Sequence, residues 1–218
     1  MACLQALADA GVGTALSLGG AFGLAHYHEY RQTHDIDAWW GADVPAADQR
    51  RAVQALEAVL GQHGRVRKRT WGDVTSVELQ IGTKTVFSFQ VARRSAQLEA
   101  TVSGLWPGGI AVDSFADLVA SKMVALVERG APRDFLDVYT VCQAGRATIE
   151  QCWSWWSARQ AAAGEEADRQ RAALAIQTHL ARLESARPLA NITEPEQKAE
   201  AEHLRTWFAE EFLGGIPD

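Results

Sequence analysis

Asp35 and Asp37 stand one residue apart in the stretch DIDAWW, and this spacing is the strongest chemical signal in the chain. Alternate residues on a strand point to the same face, so two carboxylates set this way can share one cation. Magnesium wants hard oxygen ligands and often takes one or two carboxylates together with the phosphates of a nucleotide. In phosphoryl or nucleotidyl transfer such an ion neutralises phosphate charge and aligns the attacking oxygen. Two acids near a strand end also suit a solvated turn, so their surroundings decide between the readings.

Upstream, Gly19 and Gly20 separate the apolar run TALSL from the helically spaced segment AFGLAHYHEY. Glycine backbone can approach a triphosphate closely, and a helix N-terminus offers N–H groups that lack intrahelical partners. A tight turn that needs glycine for its dihedrals is the other reading. Arg31 and Thr33 precede the acids, where they can position Asp35 or contact phosphate, although Arg31 is equally an ordinary surface residue. Lys122 lies in an otherwise apolar helical stretch, where its ammonium must reach water or find an anion. Arg133 and Asp137 are four residues apart and can pair on a helix surface, while Asp134 favours the positive end of that helix. His26, His28 and His34 crowd the same region as the acids, but HxH on a helix splays its rings and no third ligand stands at a zinc-like spacing, so core or rim positions are expected. Trp39, Trp40, Trp153, Trp155 and Trp156 could stack bases, with core packing the plainer expectation.

The elements that must position these groups can be read from periodicity. Residues 3–10 form a short helix, TALSL a buried strand, AFGLAHYHEY a helix and DIDAWW a second strand. Residues 45–61 carry Val53, Leu56, Val59 and Leu60 on one helical face. Three strands follow, RVRKRTW, VTSVELQI and TVFSFQVA, the last two joined by a hairpin-like turn at Gly82, Thr83 and Lys84. The glycine-rich stretch RRSAQLEATVSGLWPGGIAV has no periodicity, and almost everything after it is helical. Asp113 or Ser114 can cap the next helix, Gly130 can end it, and Pro132 fits the first turn of its successor, while ARPLANITEPEQ is a loop between later helices. The expectation is an α+β chain: a mixed sheet with flanking helices over residues 1–110, then a mainly helical lobe over 111–218 that completes an active-site cleft.

Composition bounds the function classes. With 47% apolar and 22% charged residues among 218, the chain is an ordinary globular one. Its net charge of -6 argues against a protein that coats nucleic acid non-specifically. A local basic patch stays open, in which Arg65, Arg67, Lys68 and Arg69 would meet Arg93 and Arg94 across a hairpin; a charged strand edge that resists aggregation is the alternative. Cys3, Cys142 and Cys152 are odd in number and form no CxxC, so reduced structural cysteines are expected. The opening MACLQALADAGVGTALSLGG has neither a basic leader nor a sustained apolar run, which predicts no signal peptide, no membrane span and a cytoplasmic location.

The stretch LGGAFGLAHYHEYRQTHDIDAWW resembles the glycine–helix–RxTxDxD signature of the nucleotidyltransferase AbiEii toxin family, within the DNA-polymerase-β-like superfamily. The later block DSFADLVASKMVALVERGAPRDFLDVY resembles that family's helix lysine followed by an Arg-Asp-x-x-Asp element, and the two blocks together span about residues 18–140. The resemblance implies a nucleotidyltransferase-like fold and transfer of a nucleoside monophosphate from a nucleoside triphosphate (NTP) to an acceptor hydroxyl, with release of pyrophosphate. It puts Gly19, Gly20 and Ala21 where the family's glycine element meets phosphate, Asp35 and Asp37 on Mg2+ or Mn2+, and Lys122 on phosphate. Arg133, Asp134 and Asp137 match the later element, whose last aspartate is implicated in activity. By the same analogy the acceptor is RNA, perhaps a tRNA 3′ end, and a cognate antitoxin restrains the toxin in an abortive-infection setting.

One departure stands out. Many superfamily members carry a third metal acid on a later strand, yet TVFSFQVA has Ser88 or Gln90 there, leaving Asp137, or less readily Glu78, to substitute. Two other functions therefore stay open: a non-catalytic nucleotide sensor or partner-binding module, and a transferase acting on a small molecule or a protein hydroxyl.

Overall fold

The computed structural model describes residues 1–104 and 106–214; Leu105 in the aperiodic stretch and residues 215–218 lie outside the described part. The chain divides into two compact units between Leu118 and Val119. In the first, α1 (Ala2–Asp9) buries Cys3, Leu4 and Leu7 and leads into β1 (Leu16–Leu18). Next come α2 (Gly20–Tyr27), β2 (Asp35–Trp40) and α3 (Ala46–Gly61). The strands β3 (Arg65–Trp71), β4 (Val74–Ile81), β5 (Lys84–Arg93) and β6 (Ala111–Val112) complete the sheet. Its order is β3-β4-β5-β2-β1-β6. Strand β2 runs parallel to β5 and antiparallel to β1, so the sheet is mixed, as the sequence predicts.

Alternation along the strands gives this sheet two unlike faces. Ile36, Ala38 and Trp40 are buried and share rows with Phe89, Val91 and Val77, an apolar face that α3 covers with Ala52, Leu56 and Leu60. The residues between them, Asp35, Asp37 and Trp39, are half-buried and share the opposite face with Ser88, Gln90, Ser76 and Glu78. A slip of one residue would drive two carboxylates into the core, and the desolvation cost fixes the register.

Three local expectations need correcting. Helix α2 ends at Tyr27 rather than running to Tyr30, because His28 is extended and the Tyr27 hydroxyl is drawn to the Asp113 carbonyl at 3.0 Å. The stretch without periodicity nonetheless contains β6, whose two residues are too few to show a period and which is held by β1 and a bridge between Val102 and Val112. Arg94 does not join the cations of β3: β4 intervenes, and Arg94 turns to Asp113. Of the two cap candidates, Ser114 does the capping, its hydroxyl accepting the Asp117 N–H at 3.0 Å.

The second unit is helical. Helix α4 (Phe115–Glu128) crosses into it and ends where Gly130 turns left-handed at φ +52°. Pro132 occupies the first turn of α5 (Pro132–Gln143), as expected, and α6 (Ile149–Ala162) starts with a reciprocal cap between Thr148 and Gln151. Helices α7 (Arg169–Ala186) and α8 (Pro195–Trp207) follow, α8 passing into a π-helical turn at Phe208–Phe212. Trp153, Trp156, Trp207, Phe208 and Phe212 are buried and meet in a chain of ring contacts, so these tryptophans are core. The cysteines are free thiols, but Cys142 and Cys152 bring their Sγ atoms to 3.6 Å, a meeting of α5 and α6 that their ten-residue separation conceals. The hydrogen bond with Cys142, reinforced by burial, lifts the Cys152 thiol above its ordinary range. Among the described residues no helix is long and apolar enough to cross a membrane.

Phe89 is fully buried on the strand that carries Ser88 on its other face. Phe89→Ala is expected to lower the unfolding free energy by about 3–5 kcal/mol. A denaturant midpoint within error of wild type would show that this core does not hold the sheet.

Candidate active site

Asp35 and Asp37 project from one face of β2, as their spacing predicts. Thr33 fixes the start of the strand: its hydroxyl accepts the Asp35 N–H at 3.3 Å and donates to the Asp35 carbonyl at 3.1 Å. It thus positions Asp35, one of the two roles open to it. Beside the acids, β5 pairs Ser88 with Asp35 and Gln90 with Asp37. Ser88 Oγ donates to Asp35 Oδ1 at 2.6 Å, so the position where a third carboxylate was sought holds a hydroxyl that orients the first. Glu78 lies one strand further, opposite Ser88, with Arg67 at 3.4 Å and Arg69 at 3.7 Å. That counter-charge ties it to the sheet edge.

The glycines abut the acids. Gly19 N–H donates to the Asp37 carbonyl at 2.8 Å and caps α2, and Gly20 takes φ +57°. A β-carbon on Gly20 would overlap the Asp37 carboxylate, and one on Gly19 would overlap the Trp39 indole. Glycine here is therefore required both by conformation and by close approach. Ala21, next in the helix, is buried. The N-terminal turn of α2 thus begins against an acid, where its dipole favours negative charge. Arg31 is half-buried, with its guanidinium 5.7 Å from the Tyr30 ring centre. His28 stacks on Tyr30 and His26 is exposed, so neither lies in the core.

Behind Trp39 lies a polar cluster that sequence reasoning missed. Asp113, 1% exposed, accepts from Ser17 Oγ at 2.8 Å and is bridged by both terminal nitrogens of Arg94. Arg94 also sits 5.9 Å from the Trp39 ring centre. The partners are 96 and 19 residues from Asp113 in sequence, and its only local signal was that of a helix cap. Burial, reinforced by the negative charges of Asp113 and Glu99, raises the Tyr27 phenol above its ordinary pKa. A raised acid favours the neutral form in the fold, so this contribution is complete below the unfolded phenol's value of about 10 and fades as pH climbs through the folded one. A cavity of about 490 Å³ opens at the other end of β2, around Trp40, Gly41, Arg93, Arg94 and Gln97; of the residues singled out in the sequence, Trp40, Arg93 and Arg94 line it, while the acid pair and the Gly19–Gly20 turn do not.

In the second unit Lys122 finds an anion, its Nζ lying 2.6 Å from Asp137 Oδ2, with Asp137 wholly buried. Arg133, four residues before Asp137, is exposed near the start of α5. Asp134 is held by Arg129 Nε and Nη2, each at 2.8 Å, and by the Ala131 N–H at 3.0 Å, which fastens the α4–α5 corner.

Among the described residues no group of three or more histidine, cysteine or acidic side chains is arranged to hold a metal ion. Two same-face carboxylates beside a glycine-opened helix start suit a hard cation that draws its remaining ligands from a nucleotide and water.

A mixed α+β sheet with an acid pair on one face and a glycine-opened helix against it has the architecture of a nucleotidyltransferase. The sequence model of the nucleotidyl transferase AbiEii toxin, from type IV toxin–antitoxin systems, matches residues 2–218, and the chain belongs to that family. It is therefore a nucleotidyltransferase toxin in the general sense, and membership implies an NTP substrate and a cognate antitoxin. A search of the curated proteins finds no match.

Asp113→Ala strands the Arg94 guanidinium in a largely buried position. The expected cost is about 3–5 kcal/mol of stability, read from urea unfolding. A cost below 1 kcal/mol, by the same principle, would mean that water replaces the carboxylate.

Proposed function

We propose that the protein transfers a nucleoside monophosphate from an NTP to a hydroxyl of an RNA acceptor, of the kind a tRNA 3′ end presents. The reading is carried by the close approach of the Gly19–Gly20 backbone to Asp37, which sets the start of α2 directly against the acid pair. Asp35 and Asp37 would hold magnesium or manganese, which when bound supplies charge neutralisation at the phosphates. Ser88 keeps the Asp35 carboxylate turned, and Thr33 pins the backbone beneath it. The N–H groups at Gly20 and Ala21 open the helix and donate to the triphosphate, with Arg31 as a cationic contact; in the second unit Lys122 and Arg133 stand as the candidate phosphate cations. The acceptor oxygen forms its bond to the α-phosphorus, the bond to the bridging oxygen breaks, and pyrophosphate leaves while the hydroxyl proton passes to solvent. Asp137 is suited to aim Lys122 rather than to take that proton, since it is buried and ion-paired already.

Labelled NTP, magnesium and total tRNA provide the test. Asp35→Ala and Asp37→Ala are each expected to reduce label transfer at least about a hundredfold and to relieve growth inhibition. Wild-type protein that labels no RNA, together with undiminished toxicity of Asp35→Ala, would defeat the proposal. Lys122→Ala and Asp137→Asn should each raise the KM for NTP about tenfold, with the double variant far from additive; full additivity would separate their roles.

The hydroxyl at Ser88, standing where a third carboxylate would complete the metal site, favours a second reading: a nucleotide sensor without turnover. Calorimetry showing tight NTP binding, with no product over hours, would select it.

A further inference from the structure

Strand β3 is the edge of the sheet, and its side chains alternate so that Arg65, Arg67, Arg69 and Trp71 share a face. All four are exposed. The register carries that face straight to the acids: Arg67 pairs with Glu78, Glu78 with Ser88 and Ser88 with Asp35. One row along, Arg69 pairs with Ser76, Ser76 with Gln90 and Gln90 with Asp37. Three strand spacings separate β3 from β2, about 14 Å. In a chain of net charge -6, three arginines on this face meet one carboxylate, Glu78, which steadies Arg67 and Arg69 without cancelling the excess. Lys68 points to the other face and lies 3.8 Å from Glu57. Successive arginine positions lie about 6.7 Å apart along the strand, a spacing from which their long side chains can reach consecutive phosphates of an extended nucleic-acid strand. Trp71, 46% exposed, ends the row, and the Arg69 guanidinium lies 5.4 Å from its ring centre. Cations in a row closed by an exposed indole are the components of a single-strand binding surface, with phosphates on the cations and a base on the ring.

We propose that this face of β3 is the docking track for the acceptor, a single-stranded RNA segment whose phosphates lie on Arg65, Arg67 and Arg69 and one of whose bases stacks on Trp71. The proposal rests on the transferase reading only in calling the bound strand the acceptor. The test therefore measures binding of a fluorescein-labelled 12-nucleotide single-stranded RNA to the full chain by anisotropy, without NTP or magnesium. The triple variant Arg65→Ala, Arg67→Ala, Arg69→Ala is expected to weaken binding at least tenfold and to flatten the salt dependence by roughly 0.7 per lost contact. Arg65→Ala combined with Trp71→Ala leaves the Glu78 contacts in place, guards against a folding defect, and should also cost about tenfold or more. Lys68→Ala, the same charge change on the opposite face, should bind as wild type does.

Unchanged binding in both β3 variants overturns the proposal, and so does an equal loss in Lys68→Ala. Displacement of the RNA by polyglutamate as readily as by unlabelled RNA also overturns it, and marks the face as a dock for an acidic protein. Loss of label transfer in a protein that still binds RNA through β3 strikes the transferase reading alone. Normal label transfer with RNA binding indifferent to β3 strikes the track alone.

Discussion

A main chain can be pressed against a carboxylate only where no side chain stands between them, and the first unit is organised around one such approach. Gly19 and Gly20 lie against Asp37 and Trp39, and Gly20 also takes a left-handed turn into α2. Any other residue would push the helix away from the strand or force Asp37 aside. Once that contact is made, the helix start, the acid pair and the adjoining β5 hydroxyl are mutually fixed. The apolar backing of the same strand is then the only part of β2 left to build the core.

The polar groups that this arrangement leaves behind are anchored in pairs. Asp113 draws Ser17, Arg94 and, through its carbonyl, Tyr27 to the β1 side of the sheet. In the second unit Lys122 with Asp137, and Arg129 with Asp134, serve the helices in the same way. Buried ion pairs add little net stability, but losing one partner is costly, so they specify arrangement more than they strengthen it.

What could be read from the sequence follows from distance along the chain. The two faces of β2, the amphipathic α3, the β4–β5 hairpin and the proline and glycine punctuation around α5 are local signals, and the structure has them. So too is the glycine pair before a helix, although its pressure on Asp37 was not foreseeable. Ser88 was named as the place of a missing acid, but its bond to Asp35 depends on a parallel pairing between strands more than fifty residues apart. Asp113 looked like a cap because its true partners are remote, and Cys142 with Cys152 looked unrelated because neither sits in a short motif. The partner of Lys122 was legible as a need for an anion, but not as Asp137, since helix packing rather than spacing decides which carboxylate is buried.

The strict alternation in Asp35–Trp40 has a bearing on how such a chain can vary. Core and chemistry are interleaved on one strand like two messages written on alternate letters, so adding or deleting a single letter garbles both. The two-residue turn at 82–83, which joins exposed ends of β4 and β5, carries neither message. Single-residue changes of length are thus admissible at that turn and inadmissible at any of the six positions of the acid strand, which leaves substitution as the route by which this site can be remodelled.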